Sequence, residues 1–304
     1  MATLRKILRQ TQDTLQAAGI PDARLEAEVL LTNVLQMPRH RIYAYQEQEL
    51  TSQQEELLAR LVGRRLKREP LAYILGHREF YGVDLAVGPG VMIPRPETEL
   101  LVEQTLFLAL MHPSALLRAG MEAGELVIAE PGTGSGAISI NLAIHLPRAR
   151  IYATELYPEA LKVAAYNIHR HNVADRVTLL QGDLLESVPE AADIIVANLP
   201  YVKSGAIPGL QPEIQWEPRE ALDGGPDGLD IIRRLLHQAG PESAERGQHK
   251  LKQNGVIILE IDPHQVQPLE ELARRLFPTA SITTEQDMAH LDRIFIVDLS
   301  RIEC

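Results

Sequence analysis

From Leu126 onward the chain alternates short apolar runs with longer segments of helical period, and this alternation constrains the fold more tightly than any figure of composition. Leu126-Val127-Ile128-Ala129, Ile151-Tyr152-Ala153-Thr154, Val177-Thr178-Leu179-Leu180, Asp193-Ile194-Ile195-Val196-Ala197, Val256–Ile261 and Ile294–Val297 read as strands. Helical patterns at Ser135–His145, Pro158–Arg170, Leu229–Gln238 and Val266–Phe277 separate them. Strands apolar on both sides need cover on both sides, and helices between parallel strands supply it. The expected fold class is α/β, a doubly wound sheet that binds its ligand at the carboxyl ends of the strands.

The first seventy residues read differently. Leu4, Ile7, Leu8, Thr11 and Leu15 recur at helical spacing up to Gly19 and Pro21; Asp22 opens a second helix that Pro38 stops; Thr51 or Ser52 opens a third, with Leu57, Leu58, Leu61 and Val62 on one side. Its basic end, with Arg60, Arg64, Arg65, Lys67 and Arg68, reads either as cations favoured at a helix C-terminus or as a partner-binding surface. Glu79–Val87 alternates around Gly82 as a hairpin does, Glu97-Thr98-Glu99 opens a helix after Pro96, and 112–125 reads as a loop.

Charge follows the same division. Residues 1–70 hold 11 Lys+Arg against 9 Asp+Glu, whereas the remainder holds 19 against 32. An acidic second part counts against a surface that grips a phosphate backbone, so no direct nucleic-acid partner is expected. A single cysteine, Cys304, excludes an internal disulfide framework and a cysteine metal site. With no apolar run of membrane-span length and no leader-like start, a cytoplasmic protein without a membrane partner is expected.

Four places carry chemistry. Gly132-Thr133-Gly134-Ser135-Gly136 lies between a strand and a helix, where glycines let a ligand approach the backbone; with Ala137 it also fits the looser dinucleotide pattern. Glu155, at the end of the next strand, suits the two hydroxyls of a ribose, a group shared by NAD and S-adenosylmethionine. Asp183, with Leu184 beside it, can meet an adenine or merely cap the following turn. Asn198-Leu199-Pro200-Tyr201 follows the fourth strand. Its side-chain oxygen and the residue 199 carbonyl can together hold both N–H bonds of a planar NH2, with Tyr201 stacked on the flat group. Asp223–Gly228 reads as a turn; no nucleophile elbow or zinc motif occurs, and no metal is expected.

On these residues the chain resembles the HemK/PrmC family of protein-(glutamine-N5) methyltransferases. The resemblance is carried nearly end to end by Leu75–Gly82, Ile93-Pro94-Arg95-Pro96-Glu97-Thr98-Glu99, Gly132–Gly136, Asn198–Tyr201, Glu217–Leu222 and Leu291-Asp292-Arg293. It implies a seven-stranded Rossmann-like methyltransferase sheet with a small N-terminal helical domain. The implied divisions are a helical substrate-docking part over 1–75, a hairpin linker over 76–96 and the S-adenosylmethionine-dependent domain over 97–304. It further implies that Gly132, Thr133, Gly134, Ser135, Gly136, Glu155, Asp183, Leu184 and Asn198 hold S-adenosylmethionine. Asn198, Leu199, Pro200 and Tyr201 then grip the substrate, with Asn198 and Tyr201 catalytic.

The implied reaction methylates the glutamine of the Gly-Gly-Gln motif in peptide chain release factors. Two departures stand out: Glu130-Pro131 where such enzymes show Asp-Leu, and Leu199 in place of the first proline of Asn-Pro-Pro-Tyr. Arg95 and the Glu97 run read either as closing the cofactor site or as a salt-bridge cluster. Competing readings are a glutamine methyltransferase for a ribosomal protein, an adenine-N6 methyltransferase for nucleic acid, an NAD oxidoreductase, and a binding protein that merely retains the pocket.

Overall fold

The computed structural model describes residues 2–111, 126–241 and 249–300; the loop expected at 112–125 and Cys304 lie outside the described residues. The chain divides into two units, residues 1–77 with 211–216, and 78–210 with 217–304.

In the first unit, α1 (Leu4–Ala17), α2 (Ala23–Leu35) and α4 (Ser52–Leu66) match the three expected helices, and two short ones, α3 (Arg39–Ala44) and α5 (Leu71–Leu75), were not foreseen. Both are too short to show a period. Leu4, Ile7, Leu15, Leu30, Leu31, Leu58 and Leu61 form one apolar core. Thr51 accepts a hydrogen bond from the Gln54 N–H while Gln54 reaches back to Thr51, a capping box that fixes where α4 begins.

The basic end of α4 keeps Arg64 and Arg65 in its last turn, where a helix C-terminus favours cations, and engages them with acids as well. Arg65, almost fully buried, pairs with Glu26 at 2.6 Å and with Glu213 at 2.9 Å. Arg68 shares Glu213, and Arg64 holds Glu69. Three of the five cations are therefore spent on acids within their own unit, while Arg60 and Lys67 stay exposed.

The second unit opens with a two-stranded hairpin, β1 (His77–Phe80) and β2 (Val83–Ala86), followed by α6 (Glu97–Met111). Then come β3 (Val127–Pro131), α7 (Ala137–His145), β4 (Arg150–Glu155), α8 (Pro158–Arg170), β5 (Val177–Gln181) and β6 (Ala192–Ala197). After a long loop follow α9 (Asp230–Ala239), β7 (Leu251–Glu260), α10 (Val266–Leu276), β8 (Ser281–Gln286) and β9 (Asp292–Asp298). The sheet has seven strands in the order β5-β4-β3-β6-β7-β9-β8. Strands β3 to β7 run parallel; β9 is antiparallel to β7, and β8 to β9.

Alternation along β6 feeds two cores. Ile194 and Val196 join Leu101, Ile140 and Ile168 on one side, while Ile195 and Ala197 join Ile232, Leu235 and Leu269 on the other. Strand β8, Ser-Ile-Thr-Thr-Glu-Gln, pairs only with β9 at the sheet edge and is half-exposed, which explains why no apolar run marked it in the sequence. No helix among the described residues is long and apolar enough to cross a membrane.

Candidate active site

The parallel strands end at one pocket. Glu130 is the next-to-last residue of β3, Glu155 closes β4, Asp183 and Leu184 follow β5, and Asn198, Leu199 and Pro200 follow β6; all of them line it, with Gly132, Thr133, Gly134 and Ser135. Gly136, the fifth residue of the loop, lies just before α7. The pocket lies where β3 separates the strands that run to β5 from those that run to β8, the switch point at which open α/β sheets take ligands.

The glycine loop, which follows β3, is held by the neighbouring strand β4. Gly132 and Thr133 donate their N–H groups to the Thr154 carbonyl at 2.9 and 3.0 Å. Gly132, Gly134 and Gly136 have positive φ, a region that costs a side chain strain. A Cβ on Gly132 would stand 3.0 Å from Leu199 Cδ2. Leu199 is buried, so the residue that departs from the family proline packs its side chain against the glycine loop.

Glu130, Glu155, Asp183 and Glu220 bring carboxylates to the pocket. Glu155 accepts from the N–H groups of Gly134 at 3.0 Å, Leu156 at 2.8 Å and Tyr157 at 3.0 Å, which fixes its position at the strand end. Glu130 accepts from the Thr133 hydroxyl at 2.8 Å and the Ser139 N–H at 2.9 Å. Burial pushes the Glu130 carboxyl up to about 8; Thr133 and Ser139 pull it down, and the nearby Glu155 charge adds to the rise. Asp183 is paired with Arg234 of α9, and both line the pocket. Leu184 adopts positive φ while its carbonyl accepts the Thr154 hydroxyl at 2.6 Å.

The Asn198–Tyr201 loop is braced from several sides. Asn198 Nδ2 donates to Thr98 Oγ1 at 3.0 Å, and Thr98 belongs to the first turn of α6, directly after Pro96. Tyr201 packs against the core of α9 and α10, and its hydroxyl donates to Glu260 Oε1 at 3.0 Å; it is not among the residues lining the pocket. Gln265 donates to the carbonyls of Tyr201 and Gly228 at 3.0 and 2.9 Å. The Asp223–Gly228 segment passes so close that a Cβ on Gly224 would meet the Pro200 carbonyl at 2.6 Å. Those glycines are required by the approach of two backbones.

Glu217 joins two of the sequence motifs. It is buried, accepts from the Ile93 N–H at 3.1 Å and pairs with Arg95. Arg95 is thus part of a salt bridge, whereas Pro94 and Thr98 of the same run line the pocket. Glu260 and Asn167 escaped the sequence reading as site residues, and Thr98 stood in the Ile93–Glu99 run without a role of its own. Asn167, fully buried, accepts from the Ala86 N–H at 2.8 Å and donates to the carbonyls of Ala86 and Ser135, both at 2.9 Å, joining the hairpin to the pocket loop. No local pattern marks Glu260 or Asn167.

Residues 6–76 match the family model of the PrmC N-terminal domain, and residues 113–202 that of ribosomal protein L11 methyltransferase. Over 295 residues the chain is 41% identical to a release factor glutamine methyltransferase of Moorella thermoacetica, covering 97% of this chain and 98% of that one. The chain belongs to the release factor glutamine methyltransferase family. A second member, from Geobacter sulfurreducens, is 41% identical over 256 residues and 84% of each chain. Among solved structures, the catalytic domain of hMettl16 in complex with the MAT2A 3'UTR hairpin 6 aligns with a TM-score of 0.56 at 14% identity, over 79% of this chain and 82% of that one. That similarity is one of fold.

Proposed function

We propose that the protein transfers the methyl group of S-adenosylmethionine to the side-chain N5 of the glutamine in the Gly-Gly-Gln motif of peptide chain release factors, in the cytoplasm. Its relatives are named for release factor glutamine methylation. The observation that carries the reading is the meeting, in one pocket, of a glycine loop, two strand-end carboxylates and an asparagine whose amide NH2 is held by Thr98.

The pocket fits the cofactor. Gly134 lines the pocket with no atom within 4 Å of where a Cβ would stand, so the backbone there is open to close approach. Glu130 and Glu155 oppose a net positive ligand, and Leu184, Leu156 and Ile231 supply apolar wall for a base. In this reading the Gly132–Gly136 loop and Glu130 face the methionine end, Glu155 accepts the ribose hydroxyls, and Asp183 and Leu184 meet the adenine. When bound, S-adenosylmethionine would supply a methyl group on a positively charged sulfur, an electrophile with a good leaving group; the chain's residues would orient the acceptor amide toward it.

The chain's own task is alignment. An amide nitrogen is a poor nucleophile, because its lone pair is delocalised, so holding it in line with the methyl carbon supplies much of the acceleration. With its NH2 engaged by Thr98, Asn198 offers Oδ1 to one substrate N–H, and the Leu199 carbonyl takes the other. Pro200 stiffens the loop and Tyr201 supports it from the core side. The near-neutral helical unit docks the protein substrate.

The test is methyl transfer from labelled S-adenosylmethionine to a purified release factor, beside a variant whose Gly-Gly-Gln glutamine is alanine. Label on the native factor alone is the expected result. Label on neither factor, with cofactor binding intact, would refute the reading.

A further inference from the structure

Glu260 ends β7 next to the strand that carries Asn198, and it is almost fully buried. A carboxyl in such a place needs partners. Tyr201 donates its hydroxyl to Oε1, the Thr98 hydroxyl faces the carboxyl, and Oε2 is buried without a hydrogen bond of regular geometry among the described residues. Thr98 in turn accepts the Asn198 NH2. Four side chains from three elements and the loop after β6 thus form one connected set: Asn198, Thr98, Glu260 and Tyr201.

We propose that Thr98 and Glu260 are positioning residues of the acceptor site, fixing which end of the Asn198 amide meets the substrate glutamine. The inference rests on the methyl transfer proposed above and adds to it the device that sets the polarity of the site.

The argument is one of donor and acceptor count. The two ends of an asparagine amide have nearly the same shape but opposite hydrogen-bonding sense, so a flip would turn a donor toward the substrate NH2 and repel it. A threonine hydroxyl alone does not prevent the flip, because it can donate or accept. Glu260 removes the ambiguity in its ionised form: a carboxylate draws the Thr98 proton, leaving Thr98 only lone pairs for Asn198. Thr98 then binds the NH2 end, and Oδ1 is left for the substrate. Tyr201 supplies a second donor to the same carboxyl and ties the far end of the loop to it.

The acceptor role belongs to the ionised carboxylate, which the Thr98 and Tyr201 hydroxyls favour against burial. Glu97 of α6 raises its proton affinity and Arg293 of β9 lowers it, while burial dominates in the upward direction. Among the described residues no cation forms an ion pair with the carboxyl; Arg293 is bonded to Asp287 at 2.9 Å.

The experiment compares the full-length wild type with Thr98→Val, Thr98→Ser and Glu260→Gln. Turnover of release factor, KM for the factor, cofactor affinity by calorimetry and Tm are measured for each. Thr98→Val keeps the shape and removes the acceptor, so kcat should fall roughly tenfold, the order expected for loss of one orienting hydrogen bond. Thr98→Ser restores the hydroxyl and should recover most of it. Glu260→Gln offers one oxygen where two hydroxyls donate, and its NH2 competes for Thr98; it should lower kcat by a similar factor. Cofactor affinity and Tm should stay near wild type in all three. Wild-type turnover retained in Thr98→Val and Glu260→Gln would overturn the inference alone, as would losses that track cofactor affinity or Tm and are not rescued by serine. A wild type that leaves the factor unlabelled would overturn the functional reading and this inference with it.

Discussion

Gly132 combines a left-handed backbone, φ +74°, with a neighbour 3.0 Å from where a Cβ would stand. Gly132→Ala therefore meets about 1–2 kcal/mol of backbone strain and displaces Leu199 as well. Cofactor affinity measured by calorimetry should drop about tenfold or more; an unchanged affinity would show that the loop does not approach the ligand. Glu130 makes a prediction about pH. Its proton affinity in the fold is raised to about 8 from the ordinary 4.5, so between those values the folded chain binds more protons than the unfolded one. The ligand-free protein should accordingly lose stability as pH climbs through that window, and Glu130→Gln should flatten the loss in denaturant titrations. A cationic ligand favours the ionised carboxylate, so S-adenosylmethionine should bind more tightly as pH rises toward 8. The product, which lacks the sulfonium charge, should follow pH less steeply.

Among the elements, α8 matters beyond its helical packing, because Asn167 uses all of its amide on backbone groups of β2 and the glycine loop. Asn167→Leu leaves the half-buried N–H and carbonyl of Ala86 and the buried carbonyl of Ser135 without this partner. The expected cost is about 3 kcal/mol, read as a lower midpoint in denaturant, with cofactor affinity reduced because Ser135 loses its anchor. Helix α6 has a comparable double role: its buried residues join one core, and its first turn delivers Thr98 to the pocket. The strands with apolar runs, β3 to β7 and β9, were legible in the sequence because a strand covered on both sides cannot hide its composition. Strand β8 was not, since an edge strand of Ser, Thr, Glu and Gln looks like surface loop until β9 lies beside it.

At the scale of the chain, ion pairs join segments that the sequence keeps far apart. Arg65 in α4 holds Glu26 in α2 and Glu213 in the 211–216 segment, all within the helical unit. Arg65→Met would leave two acids without their buried cation, and about 3–5 kcal/mol of destabilisation is expected in chemical unfolding. A loss well under that would mean that Arg68 and solvent suffice for Glu213.

The sequence by itself determined the sheet, its covering helices and the pocket end, because apolar period and glycine spacing are local properties of a chain. It also marked Gly132–Gly136, Glu155 and Asn198, which stand directly at strand ends. Only the tertiary structure decided what supports them. Thr98 lies 100 residues from Asn198, Glu260 lies 59 from Tyr201, and Asn167 lies 81 from Ala86. A lone threonine, glutamate or asparagine carries no period, and its partner is chosen by where the sheet brings distant strand ends together.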